Sequence, residues 1–468
     1  MRTILLAATA IALAPVAAAA DELSDLQAQL QAAMKSIQSL QERVNTLEAE
    51  KKARTVPTVP SNAQAAVIRP VKTVPSPPPS TQGAPVVAPN EKPVITVPGM
   101  RDARLELYGA AQLDAIYDIK RVDPTWAATL RPSKIPVNCP PVGADPGCGT
   151  HGQTILSARQ STFGAKGFLP TEVGEIKTRF EFDLWGMGPE AGNTAFRLKY
   201  AWGSIGPFLA GYNDTVFMDP DVFPNTVDFW GPSGMIFLRD PQVRWTFLDY
   251  NGMKFVAALE APGFAVDVGK VADVIPELAD IRERTRYPDI TGHFRLDGNW
   301  GHLQVGGVAR WITFDNPFGI GGSPANTLFG GGVNVSGTLK TFGDDDIRAQ
   351  VAYGLGIAAY SNDCCFDLGP NANLRAQTLP LLDWFVYYDH WWSKQWSSAI
   401  GFSQNDQTNS AGQFNTEQHI GSYASVNLLY YPFQNFMVGV EGLWGQRINK
   451  DEAKNTDQRV QFTSKFKF

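Results

Sequence analysis

The sequence predicts an all-β transmembrane barrel of about 16 antiparallel strands, preceded by an N-terminal α-helical coiled coil and a Pro-rich linker. Three observations lead there. From Arg104 onward apolar and polar residues alternate with period two, in sixteen runs joined by short and long connections in turn. No apolar run after the first 20 residues reaches the roughly 18 that a spanning helix needs, so a membrane-embedded chain of this kind must span with strands. The last run alternates and ends on Phe468. The 12 Trp, 13 Tyr, 27 Phe and 43 Gly fit many strands and tight turns.

In chain order, residues 1–20 carry Arg2, an apolar stretch from Ile4 to Val16 and Ala18-Ala19-Ala20 before Asp21. That is the pattern of a secretory signal peptide, too short for a membrane anchor. It places the mature chain beyond the inner membrane of a Gram-negative cell, where disulfides form.

Residues 21–51 form the predicted coiled coil. Leu23, Leu30, Ile37 and Val44 take the a positions, and Leu26, Ala33, Leu40 and Leu47 the d positions. The segment "RVNTLE", Arg43 to Glu48, resembles the short pattern that specifies parallel trimers, in which Arg43 packs over the core and pairs with Glu48 of a neighbouring helix. The competing reading is an amphipathic helix lying on its own barrel. Residues 52–103 follow as linker, with eleven prolines between Thr55 and Pro98. Such a chain is an extended spacer with a reach on the order of 100 Å, which would hold the coiled coil in the periplasm, within range of the cell wall.

The barrel is assigned to residues 104–468. In "LELYGAAQLDAIYDIK" Leu105, Leu107, Ala111, Leu113, Ala115, Tyr117 and Ile119 share one face, opposite Glu106, Gln112, Asp114, Asp118 and Lys120. In "EIKTRFEFDLW" Ile176, Phe180, Phe182 and Leu184 oppose Glu175, Lys177, Arg179, Glu181 and Asp183. A soluble sandwich with one wet face alternates in the same way. The number and length of the runs, and the final one, favour the barrel. "DWFVYYDHWW", Asp383 to Trp392, is read as part of an interfacial aromatic girdle. The closing "RVQFTSKFKF" sets Val460, Phe462, Phe466 and Phe468 against Arg459, Gln461, Lys465 and Lys467. Its terminal Phe468 resembles the signal by which the barrel-assembly machinery recognises outer-membrane proteins.

Charge narrows the function. A formal net charge of −6 gives no footprint for nucleic acid. If the apolar faces meet outer-membrane lipid, the lumen carries a small excess of cations although the chain is acidic overall. Lys177, Arg179, Arg197, Lys199 and Arg244 cluster on strands flanking "FMDPDVFPNTVDFWGPSGM", Phe217 to Met235. Charges in a water-filled pore with a low-dielectric wall focus their field, so such a cluster selects for anions. For any single one of these residues the alternative is a cross-strand charge ladder that holds register.

Cys139 and Cys148 share one Pro/Gly-rich loop and form the favoured disulfide; the pairing of Cys364 and Cys365 is left open. Only His151 lies near zinc-ligand spacing from a cysteine, so neither a metal nor any other cofactor is expected. With five histidines and no nucleophile motif beside them, an enzyme is not expected either.

Counted from a periplasmic start, the stretch 217–234 is the third external connection. The run "AFRLKYAWGSIGPFLAGYNDTVFMDPDVFPNTVDFWGPSGMIFLRDPQVRWT", Ala195 to Thr246, resembles the DcaP-like family of trimeric outer-membrane porins. That resemblance implies a sixteen-stranded homotrimeric channel for small negatively charged solutes, dicarboxylates among them. It also implies a constriction built from Arg197, Arg239 and Arg244 with the loop carrying Asp219, Asp221 and Asp228. Strict alternation from Arg244 would point Arg239 to lipid unless Asp240-Pro241 inserts a bulge. The three loop acids either repel anions or pin the loop to the cations beside it, and pinning is favoured. The alternative function is a structural tether from the membrane to the cell wall through the coiled coil.

Overall fold

The computed structural model describes residues 103–141, 143–149, 151–186, 195–274, 284, 286–313 and 327–468, and the backbone of residues 94–96, 282–283, 314–315 and 325–326. The signal peptide, the coiled coil with its seam from Leu23 to Glu48, and most of the linker lie outside the described residues.

Sixteen antiparallel strands close into a barrel. They are β1 (Arg104–Asp118), β2 (Gln153–Ser157 continuing as Thr162–Thr171), β3 (Gly174–Gly186), β4 (Ala195–Ile205), β5 (Phe208–Asp214), β6 (Arg239–Tyr250), β7 (Met253–Glu260) and β8 (Asp289–Gly298). The second half comprises β9 (Gly301–Asp315), β10 (Ala325–Lys340), β11 (Asp346–Leu355), β12 (Pro380–Ser393), β13 (Trp396–Gln407), β14 (Gln418–Phe433), β15 (Phe436–Asn449) and β16 (Lys454–Lys467). Each strand pairs with its successor, and β16 returns to β1 with Lys467 opposite Ala110 and Arg459 opposite Asp118. Full closure leaves no edge, the condition for a sheet to sit in lipid. The sixteen alternating runs of the sequence each fall on one of these strands. The last stretch of the predicted linker departs from expectation: Val94–Thr96 pair antiparallel with Arg104–Glu106 and so extend the sheet.

The wall is apolar outside and polar inside, the reverse of a soluble protein. Leu113, Phe180 and Phe462 are each 51% exposed, whereas Asp114 and Arg459 are 1% and Gln461 is 0% exposed. Alternation is enough to produce this, because successive side chains of a strand point to opposite faces. The short turns, such as Glu172-Val173, Asn251-Gly252 and Lys394-Gln395, all fall at one end, which in outer-membrane barrels is the periplasmic end. Stacked aromatics ring that end: Trp396 on Tyr430 at 4.4 Å, Trp391 on Tyr431 at 5.7 Å and Phe436 on Phe466 at 4.4 Å.

Part of the "DWFVYYDHWW" stretch does not belong to that girdle. Phe385 and Tyr387 are 1% exposed and face inward, where they pack with Val122, Leu130, Ile135, Val222, Met235, Tyr423 and Leu443. A second inward cluster gathers Phe217, Met218, Ile236, Val308, Ile357, Tyr360 and Leu381. Three connections supply the loop side of these clusters: L1 (residues 119–152), L3 (215–238) and L6 (356–379). The barrel thus holds an apolar core inside its lumen, made by long loops folded against one side of the wall. Cys139 and Cys148 are disulfide-bonded in L1 with Cα atoms 5.6 Å apart, and Cys364 is bonded to Cys365 in L6.

Candidate functional site: the lumen constriction

L3 enters the lumen and crosses it. Its anchors follow the strands in order. The Phe217 carbonyl accepts from Asn334 on β10 at 2.9 Å, and the Asp221 and Phe223 carbonyls accept from Arg348 on β11 at 3.0 and 2.8 Å. Asn225 donates its backbone N–H to Asp389 on β12 and accepts from Asn427 on β14. The backbone N–H groups of Val227 and Asp228 both reach the Glu441 carboxylate on β15, at 2.6 and 2.8 Å. Gln461 on β16 and Gln160 on β2 donate to the Val227 carbonyl. On the return, the Gly234 N–H donates to Ser403 on β13 at 2.7 Å. At Gly234 the loop lies directly on strand backbone: a Cβ there would meet the carbonyl oxygens of Gln404 and, at 2.7 Å, of Trp384.

L3 therefore covers the wall from about β9 to β16 and leaves the opening against β2–β6. A cavity of about 260 Å³ remains between them. Phe223, Phe229, Trp230 and Phe237 line it from the loop, and Gln160, Arg197, Lys199 and Arg239 from the wall. Stiff aromatic and Pro residues keep the loop face from collapsing onto the cations. Phe229 stacks on Trp185 at 4.2 Å, and Arg131 of L1 sits between the rings of Trp126 and Trp230 at 4.2 and 4.1 Å while bonding Asp363 of L6 at 2.7 Å.

The predicted cations are brought together, with one exception. Arg197 binds Asp183 through two nitrogens, at 3.0 and 2.5 Å, and lies over the Phe229 ring at 5.0 Å. Lys199 and Arg179 share Glu181, at 2.7 and 2.5 Å, and Tyr108 donates to the same carboxylate. Arg239 pairs with Asp214 at 2.9 Å, and Arg244 donates to the Asp214 carbonyl and to Gln242. Five cations thus stand against Glu181, Asp183 and Asp214, although Asp240 and Glu260 also act on Arg244. Lys177 is the exception: it is half exposed beside Glu175 near the periplasmic turn, away from the narrowing.

Arg239 faces the lumen, but for a different reason from the bulge considered above. The β5–β6 ladder runs from Phe208–Trp245 to Asp214–Arg239 without a register shift. Arg239 is the first residue of β6, and its side chain follows the inward turn of L3, over the rings of Phe237 and Tyr200 at 4.6 and 4.8 Å. A real bulge lies on β4, where Tyr200 opposes Glu181 and Leu198 opposes Phe182. The extra residue, Lys199, lets Lys199 and Tyr200 both turn inward, and Arg179 stacks on Tyr200 at 3.7 Å. Nothing in the alternation around Tyr200 signals this.

The loop acids pin L3, but not to these cations, and of the three Asp228 alone is on the lining of this cavity. Asp219 is fully buried on the far side: its carboxylate accepts from His302 at 2.8 Å and Ser336 at 2.8 Å, and pairs with Arg295 at 3.3 Å. Burial works against its charge, but the hydrogen bonds from His302 and Ser336 and the Arg295 charge hold it below the usual carboxylate value. Asp228, also buried, accepts from the Thr129 hydroxyl at 2.8 Å and from Tyr423 at 3.3 Å, and burial pushes it up despite these bonds. Asp221 alone is exposed, and it pairs with Arg295 at 2.8 Å. Asp219 and Asp221 are turned away from the opening because their partners Arg295, His302 and Ser336 lie on β8–β10. Asp219, His302 and Ser336 are the residue types of a hydrolytic triad, yet both His302 and Ser336 bond the carboxylate. No base therefore stands beside a nucleophile there.

The comparisons agree with this architecture. The profile of the DcaP outer membrane protein family matches residues 89–294. The crystal structure of the outer-membrane channel DcaP of Acinetobacter baumannii superposes with a TM-score of 0.67 at 18% identity, covering 78% of this chain and 97% of that one. The anion-selective porin from Comamonas acidovorans superposes with a TM-score of 0.51 at 9% identity, over 78% of this chain and 100% of that one. No curated relative matches the chain. Residues 89–294 thus resemble the DcaP outer membrane proteins in sequence, and the closed sixteen-stranded barrel resembles that of an outer-membrane channel in fold.

Proposed function

We propose that the protein is a passive, weakly anion-selective channel for small negatively charged solutes such as dicarboxylates. One observation carries this reading: the opening is bounded by the rings of Phe229, Trp230 and Phe237 on one side and by Arg197, Lys199 and Arg239 on the other, and the one loop acid on that lining, Asp228, is bonded to Thr129 and Tyr423. An anion in the 260 Å³ cavity meets Arg197, Lys199 and Arg239 and, of the loop acids, Asp228, whose carboxylate is taken up by Thr129 and Tyr423. Because Glu181, Asp183 and Asp214 neutralise part of that charge, the selectivity is modest. The working unit in this reading is a homotrimer, with residues 21–51 as its trimerising coiled coil in the periplasm and 52–103 as spacer.

Planar-bilayer recordings in a salt gradient test it. The reversal potential should take the sign of anion preference, and Arg197→Glu with Arg239→Glu should invert that sign while leaving conductance measurable. Cation preference in the unaltered protein, or an unmoved reversal potential in the double variant, would overturn the assignment.

A further inference from the structure

The last strand brings a cation to the pore that the constriction does not use. Lys465 on β16 lies opposite Gln112 of β1 and Met437 of β15, and its side chain shares the lumenal face with Gln461 and Thr463. It is half-buried, yet among the described residues no carboxylate pairs with it and no acceptor binds it; the charges acting on it are Lys467 and Lys199 first, then Asp114 and Glu181.

Both of those carboxylates are engaged elsewhere. Asp114 accepts from Gln112 at 2.9 Å, from Gln160 at 3.0 Å and from Thr463, and Glu181 accepts from Arg179, Lys199 and Tyr108. The wall between Lys465 and Lys199 is low. Ala110 faces Thr162 across the β1–β2 pair, and at Gly164 the Tyr108 ring lies flat where a Cβ would sit, 2.7 Å from its hydroxyl. An ammonium held in a partly desolvated wall, next to two other cations and without a counter-ion, is electrostatically unfavourable unless an anion completes it. Asp114 bonds Gln160, which lines the eyelet, so Lys465, two residues beyond Thr463 toward the periplasmic end, lies just below that narrowing.

We propose that Lys465, with Lys199 and Lys467, forms a second anion subsite on the periplasmic side of the constriction, which binds the carboxylate of a solute that has passed the eyelet. This rests on the anion-channel reading above and assigns a further station along the same path. Lys465 touches the solute directly; Lys467, exposed at the strand end, adds charge and a way out to the periplasm.

The test is succinate-induced current noise in single channels of the full-length protein, with succinate added from either side. Lys465→Gln should weaken succinate binding by about tenfold, the loss expected of one charge-assisted hydrogen bond. Lys465→Arg should retain binding, and Lys340→Gln, at the periplasmic end of β10 across the barrel, should leave it unchanged. If the unaltered channel prefers anions but Lys465→Gln binds succinate as it does, the subsite is wrong and the channel reading stands. If the unaltered channel shows no anion preference, both fall together.

Discussion

Replacing Asp219 by Ala removes the anchor that holds the first half of L3 against β8–β10. The buried carboxylate there has three partners, His302, Ser336 and Arg295, at 2.8, 2.8 and 3.3 Å. Removing one member of a buried ionic network costs about 3–5 kcal/mol. Part of that is recovered here, because Arg295 keeps Asp221 and Asp297, each at 2.8 Å. A net loss of roughly 2–3 kcal/mol remains, which lowers the docked-to-undocked ratio of this segment by about 30- to 150-fold. The effect is local, since the strand ladders do not depend on Asp219 and the second half of the loop keeps Glu441 and Ser403. Single-channel recordings should show greater open-channel noise and frequent changes of conductance level in Asp219→Ala. Asp219→Asn, which keeps an acceptor but loses the charge, should be intermediate. Noise and conductance in Asp219→Ala equal to those of the unaltered channel would refute the claim that this carboxylate holds the loop.

Two further outcomes follow from the same seat. Gly234→Ala should push the return limb of L3 off the carbonyls of Gln404 and Trp384, an overpacking that costs about 1–3 kcal/mol and should appear as altered conductance with the barrel intact. The pH dependence of the loop follows from Asp219, whose carboxyl is held below its ordinary value. A depressed carboxyl contributes stability above its free pKa and loses it only as pH falls through the folded value, so quiet channels should persist down to about pH 4 and become noisy below it. Noise that sets in near pH 6 would point to another group.

The strands were readable because alternation is a local property: each lipid-facing residue announces itself two positions from the next, and sixteen runs became sixteen strands. The place of L3 was readable from its position and from its Pro and aromatic residues. What the loop acids do was not. Their partners, among them His302, Ser336 and Tyr423, lie far along the chain, and a pattern of charges in sequence does not say which wall a loop will lie on. Phe385 and Tyr387 break the polar-inside rule because a loop covers them, and the inward turn of Tyr200 depends on a one-residue bulge. Lys465 was recognisable as lumenal, but its lack of a partner among the described residues is a property of the closed barrel.

The seat of L3 also has a consequence for the order in which the protein is built. The loop is synthesised before every strand from β6 onward, yet its partners extend from Arg295 to Gln461 and include Gln160 beside β2. No half-made sheet offers that surface. The narrowing can form only after the last strand has met the first, so a chain stalled during insertion would be a gap in the membrane without a filter, and completing the circle is the step that equips it with one.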